Sequence, residues 1–371
     1  MTGVILFIGI LTGCTSAAPH GWSGVAVADN RLYIGSTSGT LVGLNATDRS
    51  RLFNDITLVS PSASSFLGCA PASTTTWIYG TPVIASDLEM VFIAGYNGKT
   101  YGFSTSSNSN GVQKWVYPNG NTTPFVSGLA LHRDKLYIGG NDGKVYAFDA
   151  KTGTLLWTNP FVTGNKIWAT PIATDNTLYI GSYDKNLYAI NLADGTEKWH
   201  FSTQGAIMNT PIVQNGIVYF GSFDRYFYAV NADTGALIWK STNQAANWFW
   251  ANPVLGNNVI YAPNIDGNIY VFDITNGNTI NTINLDQSIS STPIILGNKL
   301  IVASENGKSL SKLWAIDTDN YTYRMIVELK KLIYAPLSVN QNIVYIHTQD
   351  NLLYALNVDT EVILWSQPVS S

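Results

Sequence analysis

The chain has 371 residues, of which 46% are hydrophobic and 12% charged, with a formal net charge of −4. That balance supplies ample core material and gives no electrostatic case for nucleic acid; no dense Lys/Arg run or basic amphipathic stretch is present either. Two cysteines, Cys14 and Cys69, are too few for a disulfide framework. Ser, Thr, Asn, Gly, Tyr and Trp make up much of the rest, a composition that favours strands and polar turns over helices.

Val4 to Leu11 is an apolar run, far short of the roughly 20 residues needed to span a bilayer as a helix. It ends in Leu11-Thr12-Gly13-Cys14, followed by the small, polar stretch Thr15 to Pro19. This looks like a lipoprotein signal peptide with its lipobox: small residues admit the peptidase, and the Cys14 thiol takes the diacylglycerol. No Lys or Arg precedes the apolar run, which places the expected start upstream of Met1. The competing reading is a buried first strand with a packed Cys14. The expected organisation is a signal peptide over 1–13, a lipidated Cys and short tether over 14–21, and one domain over 22–371.

From there the chain repeats one phrase: an apolar strand, a turn, an LYIGS-like strand, a DG-type turn, a YAxN-like strand and TGxxxW. The copies start at Gly21, Ile78, Phe125, Ile167, Ile207, Phe249, Ile289 and Ile333. Trp115, Trp157, Trp199 and Trp239 follow one another at 42, 42 and 40 residues, and Trp365 closes the eighth copy. The sixth lacks the final Trp, and the seventh carries an insertion around Ser309-Leu310-Ser311.

Each copy reads as four short strands separated by turn signals. Asn97-Gly98, Asp142-Gly143 and Asp266-Gly267 suit hairpin turns whose central residues have positive φ. One four-stranded sheet cannot bury both faces alone, whereas sheets packed radially around an axis cover one another. The expected fold is therefore all-β, an eight-bladed β-propeller with four antiparallel strands per blade. The first copy opens on its innermost strand and the eighth ends on its outermost one, so the ring should close by blade packing with no shared strand.

Ala147-Phe148-Asp149-Ala150-Lys151-Thr152-Gly153-Thr154-Leu155-Leu156-Trp157 resembles the tryptophan-docking motif, AxDxxTGxxxW, of the PQQ-like propellers. Ala229 to Trp239 is similar to it with Asn231 for the Asp, and Ala189 to Trp199 and Ala355 to Trp365 keep the Ala, the Asn and the Trp. The resemblance implies a structural role for Trp115, Trp157, Trp199, Trp239 and Trp365, each packing on Ala and Gly positions of the adjacent blade. It covers nearly the whole mature chain and implies little about chemistry.

That family includes quinone-dependent alcohol dehydrogenases and BamB-type lipoproteins of outer-membrane protein assembly. The enzymes carry a vicinal Cys pair against the quinone and an Asp base beside a Ca²⁺; this chain has no adjacent cysteines and little room for the loops that build such a pocket. Asp142, Asp184, Asp224, Asp266 and Asp350 sit in turns, where Asp is normally a local backbone acceptor. His20, His132, His200 and His347 occupy unrelated positions, and no HxH, HExxH or CxxC spacing exists, so neither a metal nor a cofactor is expected. Asn-x-Thr sequons at Asn45, Asn121 and Asn320 are expected by chance in so Asn- and Thr-rich a chain.

With the copies in register, the position two places before the Thr-Pro of each innermost strand reads Trp22, Tyr79, Val126, Trp168, Met208, Trp250, Ser290, Tyr334. The next residue is small or polar throughout, which is expected to leave an axial channel with the bulky position ringing its mouth. Trp248, Phe249 and Trp250 are consecutive and cannot all point inward. The candidate binding set is Trp22, Tyr79, Trp168, Met208, Trp248, Trp250 and Tyr334; the alternative is that these rings only fill space between blades. The connection from Asp55 to Thr76, with Phe66 and Cys69, is long enough to be a functional loop or a disordered one. The expected protein is a monomeric, non-catalytic, lipid-anchored envelope scaffold that binds an unidentified protein partner. A small-molecule or glycan receptor is the alternative, and a quinone-dependent dehydrogenase the third reading.

Overall fold

A computed structural model describes residues 21–59, 76–118 and 123–370. Cys14, the signal-peptide and tether boundaries up to residue 20, His20, Cys69 and Asn121 lie outside the described residues. Within them there are 32 strands in eight sheets, each built from four strands consecutive in sequence, and no helix. Every neighbouring pair is antiparallel, as in Thr177–Gly181 against Asn186–Asn191 and then against Glu197–Ser202 of blade 4. The first strands of adjacent blades approach one another, so they are innermost.

The ring closes by packing, with no strand exchanged between blades 1 and 8 among the described residues. Val25, Leu32, Val42 and Leu44 of blade 1 form one buried cluster with Tyr345, Leu353 and Ala355 of blade 8. Polar bonds reinforce the seam: Ser338 Oγ donates to Val25 O (2.5 Å), and Arg51 donates to Val369 O (2.8 Å). The buried His347 ring lies with Nδ1 2.7 Å from Ser23 O. Equivalent apolar clusters fill the spaces between blades, as Tyr137, Val145 and Trp157 of blade 3 do with Ile167, Leu178 and Ile180 of blade 4. The core is thus a ring of interfaces, the arrangement that buries both faces of every sheet.

The turns follow local chemistry, with one departure from expectation. In the hairpins between second and third strands only the last residue has positive φ: Gly98 (+73°), Gly143 (+75°) and Gly267 (+89°), but also Lys185 (+76°) and Arg225 (+73°). Asp142 instead caps the turn, its Oδ1 accepting from Lys144 N at 3.1 Å. These are loops with a single left-handed residue, so Asp-Gly does not mark two positive-φ positions here. Two successive positive-φ residues occur in the first hairpins, at Asp29-Asn30, Arg133-Asp134 and Asn215-Gly216.

The docking tryptophans behave alike from blade to blade. Nε1 of Trp115, Trp157, Trp199 and Trp239 donates to the carbonyl of Ala150, Leu192, Ala232 and Ile274 in the next blade, at 2.9, 3.2, 3.0 and 3.0 Å. Each indole lies flat on Gly153, Gly195, Gly235 or Gly277, where an added Cβ would come within 2.4–2.7 Å of the ring. The motif alanine plays a different part from the expected one. Ala189 and Ala229 pair directly across their own sheet with Trp199 and Trp239, beside a bulge that twists the fourth strand.

Two docks depart from the pattern. Phe53 does the work of a tryptophan in blade 1, lying against Gly111 of blade 2, where a Cβ would meet its Cγ at 2.7 Å. Trp365 faces blade 1, where Arg49 (φ +64°) holds the glycine position, and it is only half-buried. Fourth strands also run past the tryptophan: blade 3 resumes at Phe161–Val162 and blade 1 ends at Ile56–Thr57, inside the connection expected from Asp55 to Thr76.

Candidate functional site

Each blade begins with an extended segment in which side chains alternate sides. The middle residues, Ile78, Phe125, Ile167, Ile207, Phe249, Ile289 and Ile333, are all buried between blades. Four of them pack on a glycine of the preceding blade: a Cβ on Gly35, Gly139, Gly181 or Gly221 would meet Ile78, Ile167, Ile207 or Phe249 at 2.2–2.4 Å. The flanking residues are thereby turned to the other side, toward the axis and one face of the ring. The sequence run Trp248-Phe249-Trp250 splits accordingly, with Phe249 2% exposed and Trp248 45% exposed.

All eight positions aligned from the repeats converge. Trp22, Tyr79, Val126, Trp168, Met208, Trp250, Ser290 and Tyr334 line one axial cavity of about 120 Å³. Tyr79 and Met208 are buried, whereas Trp22, Trp168, Trp250 and Tyr334 are partly exposed. Trp248 does not line the cavity; it stacks on Phe223 (4.7 Å, 9°), which in turn stacks on Trp250 (5.8 Å, 26°). Trp250 meets Trp168 edge-on at 6.5 Å, and Trp168 meets Tyr183 at 5.0 Å. Lys166 places its ammonium 4.1 Å from the Trp168 ring and 4.2 Å from Tyr183, a cation–π clamp on that side of the rim. Across the mouth a second arc runs Trp22–Tyr79 (4.5 Å), Tyr79–Tyr96 (5.6 Å) and Tyr96–Trp77 (5.3 Å).

The rim is held from behind. Trp168 Nε1 donates to Asn141 Oδ1 of the preceding blade at 2.7 Å, fixing one indole edge. Burial, with Tyr96 beside it, pushes the Tyr79 phenol up to about 12, and burial pushes Tyr183 up to about 12 as well. Both stay neutral near pH 7, as hydrogen-bonding aromatics rather than acids or bases. The cavity lining adds Thr81, Thr170, Asn252 and Thr292 below the rings and includes no carboxylate, imidazole, amine or thiol.

Of the eight small residues after the rim positions, Gly80 and Ala251 line the channel as expected and the other six do not. Ser23, Ser127, Ala169, Asn209, Ser291 and Ala335 are buried, and they bond neighbouring blades together. Ser127 Oγ donates to Ala169 O (2.9 Å), Ser291 Oγ to Ala335 O (2.7 Å), and Asn209 Nδ2 to both Gly221 O and Phe249 O (3.0 Å each). The alternation that turns the rim residues outward necessarily turns these into the seam. One step further, Gly128 N donates to Thr170 Oγ1 (3.0 Å) and Thr210 N to Asn252 Oδ1 (2.7 Å), a hydrogen-bonded collar inside the rim.

The outer members, Tyr96, Tyr183 and Phe223, escaped the sequence reading. They hold the residue after the second strand's Gly-Ser or Ala-Gly, where other copies have Thr37, Asn141, Gln349 and the like. A hydrophobic ring at a turn position was the available signal. The turn aspartates are structural: Asp184 accepts from the Tyr188 hydroxyl (2.7 Å), Asn186 N (3.0 Å) and Gly164 N of the preceding connection (2.6 Å), and Asp224 repeats this with Tyr228 and Gln204.

Comparison with known proteins agrees with this architecture. The outer membrane protein assembly factor BamB of Shewanella oneidensis is 25% identical over 300 residues, spanning 77% of this chain and 69% of that protein. The crystal structure of BamB from Moraxella catarrhalis shares the fold with a TM-score of 0.68 at 17% identity, covering 88% of this chain and 93% of that one. A quinohemoprotein alcohol dehydrogenase from Comamonas testosteroni also shares it, with a TM-score of 0.64 at 14% identity, over 78% of this chain and 67% of that one. The profile of the PQQ-like family described as outer membrane protein assembly factor BamB matches residues 14–160 and 111–320, and the chain belongs to that family.

Proposed function

We propose that this protein is a non-catalytic scaffold of the cell envelope that acts, as its relatives' name states, in outer-membrane protein assembly. The observation that carries the reading is the mouth. A rim of partly exposed aromatics, fixed from behind by hydrogen bonds and packing, surrounds a lining without carboxylate, imidazole, amine or thiol. Such a surface binds through apolar and aromatic contact, with hydroxyls and an amide to hydrogen-bond a partner. Partner binding at Trp22, Tyr79, Trp168, Met208, Trp248, Trp250 and Tyr334 is part of this proposal, as are the lipid on Cys14, the extracytoplasmic location and the monomeric state.

The test is crosslinking in intact envelopes from a photoreactive residue placed at position 248 or 250. A discrete protein adduct, lost on Trp168→Ala with an unchanged melting temperature, is expected. Absence of any protein adduct from either position sinks the scaffold reading.

The Phe223–Trp248 stack with the Lys166 clamp favours a second reading, a receptor for a flat small molecule or a glycan. Ligand-dependent quenching of tryptophan fluorescence, abolished by Trp168→Ala and Trp250→Ala without loss of stability, distinguishes it. Dye-linked dehydrogenase activity with added quinone and Ca²⁺ would instead support an enzyme.

A further inference from the structure

In six blades an aromatic of the second strand packs against an aromatic of the fourth: Phe53 on Tyr33, Trp115 on Phe92, Trp157 on Tyr137, Trp199 on Tyr179, Trp239 on Tyr219 and Trp365 on Tyr345. The centroids are 5.7–6.3 Å apart. Blade 6 supplies only half of this pair. Tyr261 holds the second-strand position, but Asn281 stands four residues after Gly277, where Trp239 stands four after Gly235. The Asn281 side chain turns back on its own strand, its Oδ1 accepting from Thr282 N at 2.7 Å.

The space that opens is a cavity of about 220 Å³ between blades 6 and 7, walled by Leu255, Val259, Tyr261, Ile295, Thr318 and Tyr321. It occupies the place where, one seam earlier, Trp239 meets Tyr219 and donates to Ile274 O. By register Thr318 O is the counterpart of Ile274 O: each residue's own N–H reaches back to the first hairpin of its blade, to Asn298 O and Asn258 O respectively. The nearest donor to Thr318 O is the Tyr261 hydroxyl at 3.5 Å, a bond at the limit of length. Tyr321, with φ +62°, replaces the docking glycine. Tyr321 lines the cavity from the side of blade 7, and position 281 carries no ring to fill it.

We infer that the seam between blades 6 and 7 is a binding site for a planar aromatic group carrying an N–H donor, with indole as its type. The ring lies against Tyr261 between the aliphatic walls and donates to Thr318 O. The wall is part apolar, from Leu255, Val259, Tyr261 and Ile295, and part polar, from Asn257, Thr318 and Asp319, which suits a ring that carries one N–H donor. The ligand is either a free small molecule or the tryptophan side chain of a partner polypeptide, since both present the same ring and donor.

Protein with ¹³C-labelled Ile and Leu methyls is titrated separately with indole and with N-acetyltryptophanamide and followed by NMR. Saturable shifts at the Ile295 and Leu255 methyls are expected with indole. The same shifts with the amide assign the site to a side chain from a partner, and their absence with the amide assigns it to free ligands. No saturable shift at either methyl with either probe overturns the inference. Ile295→Phe, which fills the cavity, and the pair Asn281→Trp/Tyr321→Gly, which restores an internal dock, should each weaken indole binding by about tenfold or more. The pair should also raise the melting temperature. Unchanged indole affinity in both variants places the binding elsewhere and equally overturns the assignment.

Discussion

Truncation of the docking tryptophans should give a graded series, Trp157→Ala worst, Trp199→Ala next and Trp365→Ala mildest. Trp157 is 3% exposed, and its Nε1 is the side-chain donor to Leu192 O. Losing a buried Trp costs about 3–5 kcal/mol, and stripping a buried carbonyl of its partner adds about 1 kcal/mol at the low end of that penalty, so about 5 kcal/mol is expected. Trp199 is 9% exposed and donates to Ala232 O, but that oxygen also accepts from the Tyr179 hydroxyl at 2.9 Å. The carbonyl stays satisfied after truncation, and about 3–4 kcal/mol is expected. Trp365 is half-buried and faces Arg49 rather than a glycine, so about 1–2 kcal/mol follows from the smaller area it removes from water. Urea unfolding followed by near-UV circular dichroism reads the order through the shift of midpoint at constant slope. Equal losses at the three sites, or Trp365→Ala as the worst, would refute the idea that the glycine platform and the carbonyl set the strength of each dock.

Gly235→Ala places a Cβ 2.7 Å from the Trp199 ring at φ +72° and should cost more than about 2 kcal/mol, whereas the same change at Gly216, where nothing lies within 4 Å, should cost only the left-handed backbone term of about 1 kcal/mol; paired thermal melts decide it. His347 is buried at the closing seam, and desolvation lowers its pKa from the ordinary value despite the Ser23 and Asn351 hydrogen bonds. The unfolded chain therefore binds this proton more readily, so stability is full above about pH 6.5 and falls as pH drops below it, by up to about 1.4 kcal/mol per unit until the folded pKa is passed. His347→Gln should flatten that acid-side slope in melting temperature against pH; an unaltered slope would remove His347 from the cause. Trp248→Ala should leave the melting temperature within about 1 °C, since the ring is 45% exposed and stacks only on Phe223. A drop comparable to that of Trp199→Ala would mark Trp248 as core.

Blade count, strand order and four of the docks were legible because they rest on local rules. Turn residues recur at fixed offsets, and TGxxxW sets a left-handed glycine four residues before an indole that stands ten residues past the motif alanine. Phe53 was not legible in the same way, since its meaning depends on Gly111 in the next blade and not on its own copy. The rim was found by aligning copies, but its partners Tyr183 and Phe223 sit in turns, where sequence reasoning sees only backbone chemistry. Of the small residues beside the rim, only Gly80 and Ala251 line the channel. Two-residue alternation sends the others into the seam, where Asn209 and Ser127 bridge blades. The empty slot beside Tyr261 required coordinates, because an Asn at one position says nothing of whether its neighbours close the gap.

The innermost strand of blade 1 starts from the mouth face, since Gly21 and Trp22 precede it there. With Cys14 lipidated as proposed, the seven residue steps from Cys14 to Gly21 reach at most about 25 Å. On that proposal the aromatic rim would be held within about that distance of the bilayer surface. The first-hairpin turns and the opening beside Tyr261 lie at the other end of the innermost strands. Two classes of visitor could thus be received at once, from opposite sides, without competing for space.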